Sequence, residues 1–276
     1  MIHLGLIGYP LGHSLSPTIH TAALQACGLA GDYSLFPIKP DDVPGLEKLL
    51  ARLRTGELRG LNATIPHKQN VIQFLDELTP RAGAIGAVNT IYFREGRLTG
   101  DNTDAPGFLA DLNRFLAPNQ PDIPGQKSAL VLGAGGSARA VVYALINDGW
   151  NVTVAGRRIA QAEELVSQIK NARAIELNRA SIQAAIFRLV VNATPVGMVP
   201  NIDRSPLPEG LLLPPDIFVY DLVYNPRETK LVRDACSRGY HAETGVGMLV
   251  EQAALAFEIW TGYHPPRDIL IQSVDH

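Results

Sequence analysis

The 276-residue sequence predicts an α/β protein of two domains, a mixed α/β domain followed by a doubly wound parallel sheet. Three observations carry that reading. Short apolar runs of strand length alternate with stretches of helical periodicity along nearly the whole chain. A glycine-rich turn, Gly133-Ala134-Gly135-Gly136-Ser137-Ala138, directly follows one apolar run and opens a helical pattern. Between the halves stands Pro118-Asn119-Gln120-Pro121-Asp122-Ile123-Pro124-Gly125, a Pro/Gly-rich loop that punctuates the sequence. The length exceeds the ~100–200 residues usual for one core, so one large or two moderate domains are expected.

In the first half, residues 3–8 read as a strand. Ser16 before Pro17 predicts a helix over 17–27, with Ser16 as N-cap and Pro17 at the first helical position, where its missing N–H costs little. Residues 33–38 are a second strand candidate and 44–54 a helix; a strand over 58–65 and helical stretches at 68–76 and 79–85 follow. Residues 88–94 and 97–100 form a hairpin around Glu95-Gly96, and a helix over 104–116 leads into the Pro/Gly-rich loop. In the second half, strands are expected at 128–132, 151–155, 173–176, 189–192 and 217–222, and helices at 138–148, 159–170 and 181–187. The last amphipathic helix runs over 247–261.

Composition narrows the function classes. An apolar fraction of 46%, a charged fraction of 18% and a net charge of −3 describe an ordinary soluble globular protein. No basic patch points to nucleic acid. Cys27 and Cys236 share no metal-ligand spacing, and the seven histidines form no H-E-x-x-H pattern, so no metal site is expected. The N-terminus lacks the charged and apolar regions of a signal peptide, and no apolar run reaches roughly 18 residues. A cytoplasmic protein with no membrane partner is the expectation.

The glycine turn is a dinucleotide fingerprint. Its glycines allow a tight turn and the close approach of a pyrophosphate to backbone N–H groups at a helix N-terminus. An acid about 20 residues on would bond the ribose hydroxyls of NAD, whereas an arginine accommodates the 2′-phosphate of NADP. This chain carries Ala155-Gly156-Arg157-Arg158-Ile159 there, two guanidiniums and no acid. The reading is NADP, the alternative being a solvated basic pair at a helix start.

The segment richest in chemistry is Leu61-Asn62-Ala63-Thr64-Ile65-Pro66-His67-Lys68. Asn62, Thr64 and Lys68 at even spacing project to one side of an extended segment, offering an amide, a hydroxyl and an ammonium. That set suits a small ligand bearing hydroxyls and a carboxylate. Ser14 and Ser16, flanking Leu15 before a helix start, would suit the carboxylate, although Ser16 alone is equally well explained as a cap. Lys68 is a candidate general acid, because hydride addition to a ketone builds negative charge on oxygen. Asp104, in Asp101-Asn102-Thr103-Asp104, would orient it, though each residue alone also fits a surface lysine or a helix cap. His67 has no partner spacing and reads as a packing or exposed residue.

Together with Ala87-Val88-Asn89-Thr90, Asn192-Ala193-Thr194-Pro195-Val196-Gly197-Met198, Asp221-Leu222-Val223-Tyr224-Asn225-Pro226 and Gly245 to Gln252, these motifs resemble the shikimate dehydrogenase family. The resemblance runs from Gly8 to about Gln252. It implies a substrate domain over 1–104, an NADP-binding Rossmann domain over 105–245, and a helical segment, 246–276, returning to the first domain, with the active site in the cleft between the two. It implies that Lys68 and Asp104 form the catalytic pair and that Ser14, Ser16, Asn62, Thr64, Asn89, Asp104, Tyr224 and Gln252 contact shikimate or 3-dehydroshikimate. It places Gly133, Ala134, Gly135, Gly136, Ser137, Ala138, Arg157, Arg158, Thr194, Met198, Leu222 and Gly245 at NADP; Met198 equally suits filler after a buried strand. The expected assembly is a monomer or homodimer. Rival readings are a quinate/shikimate dehydrogenase, a non-catalytic NADP-binding regulator, and a folate dehydrogenase of similar architecture, which would not need the Ser14/Ser16 pair. Gly156-Arg157-Arg158 departs from the family's usual Asn-Arg-Thr, and Ile159 stands where an NAD-preferring branch has an acid.

Overall fold

Strand β1 (Ile2–Gly8) pairs in parallel with β2 (Gly31–Pro37) on one side and β3 (Gly60–Ala63) on the other, and it anchors the first of two sheets. The structure, a computed structural model, describes residues 1–119, 127–167 and 169–275. Between these strands lie α1 (Ser16–Ala26) and α2 (Val43–Arg54). Then come α3 (His67–Asn70), a 3₁₀ turn (Val71–Phe74), β4 (Glu77–Leu78) and α4 (Pro80–Ile85). The hairpin β5 (Thr90–Arg94) and β6 (Arg97–Asp101) precedes α5 (Asp104–Leu116). The sheet order is β2-β1-β3-β5-β6-β4, with β5 antiparallel to both β3 and β6, so this sheet is mixed. Helix α2 presents Leu46, Leu49, Leu50 and Leu53 at i, i+3, i+4, i+7 to Ile7, Leu61, Ile91 and Leu98 of the sheet. Asp42 caps that helix through the Gly45 N–H.

The second unit begins with β7 (Ser128–Leu132) and alternates strictly: α6 (Gly136–Asn147), β8 (Asn151–Gly156), α7 (Ile159–Val166), β9 (Ala172–Glu176), α8 (Arg179–Gln183) and β10 (Leu189–Asn192). It ends with β11 (Phe218–Asp221), α9 (Lys230–Ser237) and β12 (His241–Thr244). Its order, β12-β11-β10-β7-β8-β9, is parallel throughout. Buried β7, β10 and β11 have no polar alternation because helices cover both faces of such a sheet. Helices α10 (Val246–Thr261) and α11 (Arg267–Ser273) close the chain. The compact units are residues 1–107 with 250–276, and residues 108–249. No described helix is long and apolar enough to cross a membrane.

Several local expectations are corrected. Ser16 is not an N-cap: Leu15 holds that position without a side-chain bond, and Ser14 Oγ accepts from the Ser16 N–H at 3.3 Å. Pro17 removes one orphan donor, so the helix start needs less capping. The strand expected over 58–65 is only β3, and Lys68 lies on α3 rather than on an extended face. The helix expected over 159–170 ends at Val166, and that over 181–187 shifts to α8, where Asn178 Oδ1 accepts from the Ser181 N–H at 2.8 Å. The Pro/Gly-rich loop lies largely outside the described residues. The structure adds β4, α9, β12 and α11: β4 is two residues and β12 a largely polar edge strand, whereas α9 carries local signals, a Thr229 cap on the Val232 N–H and an apolar face of Leu231, Val232 and Ala235.

Candidate active site and dinucleotide site

Register across the first sheet gathers the polar residues. Asn62 on β3 pairs with Thr90 on β5, and Thr90 with Asp101 on β6, so Asn89 and the 101–104 turn meet beside Asn62. The Lys68 O accepts from the Val88 N–H at 2.7 Å, tying α3 to the same place. Lys68 Nζ then donates to Asp104 Oδ2 at 2.6 Å, with side chains only 12% and 6% exposed. Burying such a pair is costly unless further hydrogen bonds satisfy it. Asp104 meets that need: Asn89 Nδ2 donates to its Oδ1 at 2.8 Å, and it opens α5, where the helix dipole favours a carboxylate.

Asn89 is the hub. Its Nδ2 also lies 2.9 Å from Thr103 Oγ1 and 3.2 Å from Gln252 Oε1, and its Oδ1 accepts from the Thr103 N–H at 2.7 Å. Gln252 comes this close because Gly107 lacks a side chain: a Cβ there would stand 2.7 Å from the Gln252 backbone nitrogen. The turn itself is braced by Arg81, whose guanidinium holds both oxygens of Asp101 at 2.9 Å. Asn62 Nδ2 donates to the Asn89 O at 2.9 Å, while Tyr33 donates to Asn62 Oδ1 at 2.8 Å. Thr64 is half-buried just beyond β3, and Ser14 and the buried Ser16 lie at the start of α1. His67 is a packing residue, its buried ring 2.7 Å from the Ile38 O through Nε2.

In the second unit, paired registers align the C-terminal ends of β7, β8, β10 and β11, so the segments after them share one sheet edge. Gly133 adopts φ +108, and a Cβ there would stand 2.9 Å from Thr194 Cγ2, so only glycine fits. Ala134, Gly135, Gly136 and Ser137 carry the turn into twelve-residue α6, and Ala138 is buried within it. Gly135 occupies the cap without a side-chain bond, and a Cβ on it would meet nothing within 4 Å, leaving room at the first helical N–H groups. Arg157 and Arg158 are exposed at the end of β8 and make no ion pair among the described residues. A pyrophosphate at the helix start and a phosphate beside the arginines therefore fit the residues present.

A buried network holds the neighbouring loops. Thr194 N–H and Oγ1 both donate to Asn192 Oδ1, at 3.0 and 2.7 Å, and Asn192 Nδ2 donates to Asp221 Oδ1 at 2.8 Å. Thr229 and the Val223 N–H also donate to Asp221. Burial still pushes its carboxyl up to about 6, because desolvation outweighs those donors. Leu222 is half-buried and donates through its N–H to the Asn192 O, Met198 is 42% exposed, and Gly245 is buried after β12. Tyr224 lies on the loop after β11, its phenol pKa raised by burial.

Comparison with known proteins decides the family. Residues 6–91 match the shikimate dehydrogenase substrate binding domain, 117–201 the shikimate / quinate 5-dehydrogenase family, and 245–274 the shikimate 5′-dehydrogenase C-terminal domain. The chain is 43% identical to a shikimate dehydrogenase (NADP(+)) of Methanopyrus kandleri, over 98% of this chain and 94% of that protein. This chain belongs to the shikimate dehydrogenase family. It is 40% identical to its Carboxydothermus hydrogenoformans counterpart, over 98% of this chain and 95% of that one. The crystal structure of Thermus thermophilus shikimate 5-dehydrogenase with NADP(H) and shikimate superposes with a TM-score of 0.84, at 40% identity, covering 99% of this chain and 98% of that one.

Within the family frame, Ser14 to Asn89 fall in the first matched segment, Gly133 to Met198 in the second, and Gly245 and Gln252 in the third. Asp104, Leu222 and Tyr224 lie outside all three, and Asp104 is placed by its contacts alone. Sequence reasoning did not single out Tyr33, Arg81 or Asp221 as parts of either site. Tyr33 reads as an ordinary strand aromatic; the only signal was that a buried Tyr hydroxyl needs a partner.

Proposed function

We propose that the chain interconverts 3-dehydroshikimate and shikimate, a ketone and its secondary alcohol, with NADP as cofactor. Bound NADP supplies or accepts the hydride. The observation that carries the reading is the buried Lys68–Asp104 pair at 2.6 Å, set within the amides of Asn62, Asn89 and Gln252. In the reducing direction Lys68 Nζ gives its proton to the carbonyl oxygen as negative charge builds there, and in the oxidising direction it takes the proton back. Asp104 holds the ammonium in place for that transfer. Ser14 and Ser16 bind the substrate carboxylate, and Asn62, Thr64, Asn89, Asp104, Gln252 and Tyr224 its hydroxyls.

The turn from Gly133 through Ala134, Gly135, Gly136 and Ser137 to Ala138 takes the pyrophosphate, and Arg157 and Arg158 the 2′-phosphate. Thr194, Met198, Leu222 and Gly245 lie along the nicotinamide end. Residues 1–104 with 246–276 form the substrate domain and 105–245 the NADP domain, in a cytoplasmic monomer or homodimer. Initial rates with NADP and NAD against shikimate and quinate test the reading. Turnover of shikimate with NADP far exceeding the other three combinations is expected. Equal or greater rates with quinate would favour a quinate/shikimate dehydrogenase, and no turnover at all a regulator.

A further inference from the structure

We propose that Tyr33 is a positioning residue for substrate: its hydroxyl locks the Asn62 amide in one orientation, leaving the second Asn62 N–H to meet a substrate hydroxyl. The inference rests on the shikimate reading above and deepens it.

The orientation follows from the partners. A backbone carbonyl can only accept, so the Asn62 atom 2.9 Å from the Asn89 O is the amide nitrogen. The other end, Oδ1, therefore faces the Tyr33 hydroxyl 2.8 Å away, and the phenol donates. Tyr33 on β2 pairs with Leu4 and Asn62 on β3 pairs with Leu6, so the phenol reaches across the whole of β1 to make this bond. It is held there by stacking. The buried His20 ring lies parallel to Tyr33, centroids 4.4 Å apart, and against Trp260 at 5.3 Å. Both bonded groups are buried, so neither has bulk water as a substitute partner.

Of the two Asn62 N–H bonds, the one aimed at the Asn89 O is spent; the amide also neighbours His20, but neither ring nitrogen is in hydrogen-bonding geometry with it, and the second N–H is the donor that the lock leaves for a ligand. Without the Tyr33 hydroxyl, Oδ1 is a buried acceptor lacking its donor. The Asn89 O still excludes a full flip, so the amide tilts in search of a donor, and the tilt takes its second N–H out of line with the ligand. Tyr33 thus acts on substrate through Asn62, and cofactor binding is independent of it.

The test is a double-mutant cycle of Tyr33→Phe and Asn62→Ala, reading kcat/KM for shikimate, KM for NADP, and Tm. Tyr33→Phe keeps the ring stack and removes one oxygen. It is expected to lower kcat/KM for shikimate about tenfold, the order of one hydrogen bond, with KM for NADP unchanged. In the Asn62→Ala background the same substitution is expected to change kcat/KM less than about twofold, since the group it orients is gone. An equal loss in both backgrounds, parallel losses for shikimate and NADP, or a Tyr33→Phe enzyme within about twofold of wild type would each overturn the role. Should Tyr33→Phe fail to fold, Tyr33→Met, which also lacks the donor, is read in the same cycle. Absent wild-type turnover of shikimate would sink the functional reading itself, which separates the two failures.

Discussion

The Lys68 ammonium and the Asp104 carboxylate lie 2.6 Å apart on helices α3 and α5, with Asn89 bonding the carboxylate's other oxygen. The pair is buried enough that stability and activity respond differently to its removal. Lys68→Met leaves an uncompensated buried carboxylate, a loss of about 3–5 kcal/mol by analogy with other buried pairs. Its turnover number should fall about 10²–10⁴-fold, the usual contribution of a general acid–base group. Asp104→Asn added to Lys68→Met removes the stranded charge, so Tm is expected to recover substantially while turnover does not. A double variant whose loss of stability equals the sum of the Lys68→Met and Asp104→Asn single losses would show that the two groups are not coupled; a Lys68→Met enzyme within about tenfold of wild-type turnover would move the chemistry elsewhere.

Arg157 and Arg158 offer two exposed guanidiniums at the end of β8, without an ion pair among the described residues. Replacing both with glutamine is expected to raise KM for NADP at least tenfold, on the order of one charge-assisted contact, and to leave KM for NAD nearly unchanged. Steady-state rates with each cofactor at saturating shikimate give the ratio. An unchanged NADP-to-NAD preference would remove these arginines from phosphate recognition.

His20 couples the first unit to pH. Its ring is buried against Tyr33, Phe257 and Trp260, and burial lowers its pKa from 6.5 to about 3, with the neighbouring Asn62 amide acting in the opposite direction. Neither ring nitrogen is within hydrogen-bonding geometry of a partner among the described residues. The folded state holds the ring neutral, so the unfolded chain takes up the proton first as pH falls. Stability present above pH 6.5 is lost toward pH 3, at up to about 1.4 kcal/mol per pH unit. Urea unfolding of wild type and His20→Phe at pH 7, 6 and 5 should show a steeper decline in the wild type. Parallel curves would mean that His20 gains a proton without unfolding.

Asp221 runs the opposite way. Its carboxyl pKa is raised from 3.8 to about 6, so between those values the folded state holds a proton that the unfolded chain has released. The stabilisation is full below pH 3.8 and is lost as pH rises through 6. Asp221→Asn keeps an acceptor for Asn192 and the Val223 N–H and cannot ionise. Relative to wild type the variant should gain stability as pH is raised from 4 to 7, and Tm across that range checks it. A constant difference would mean that the carboxylate is already charged at pH 4.

Local features are legible in the spacing of residues along the chain. Residues 129–132 are a continuous apolar run, the glycines after them allow a tight turn, and the helix that follows has its period written in Ala138, Val141, Val142 and Leu145. Asn62, Thr64, Lys68 and Asp104 were legible as residue types suited to a hydroxylated acid and its ketone. How those groups are aimed depends on contacts between segments far apart in the chain. Lys68 leaves the strand for a helix because β3 stops at Ala63, and Gln252 reaches Asn89 because Gly107 lets α10 approach α5. Tyr33 bonds Asn62 across an intervening strand, although 29 residues separate them in sequence. Short elements such as β4 and β12 exist through a neighbouring strand's hydrogen bonds. Secondary structure is encoded by spacing within a dozen residues, whereas hydrogen-bond direction depends on which buried donor meets which acceptor, and that is settled when the strands pair.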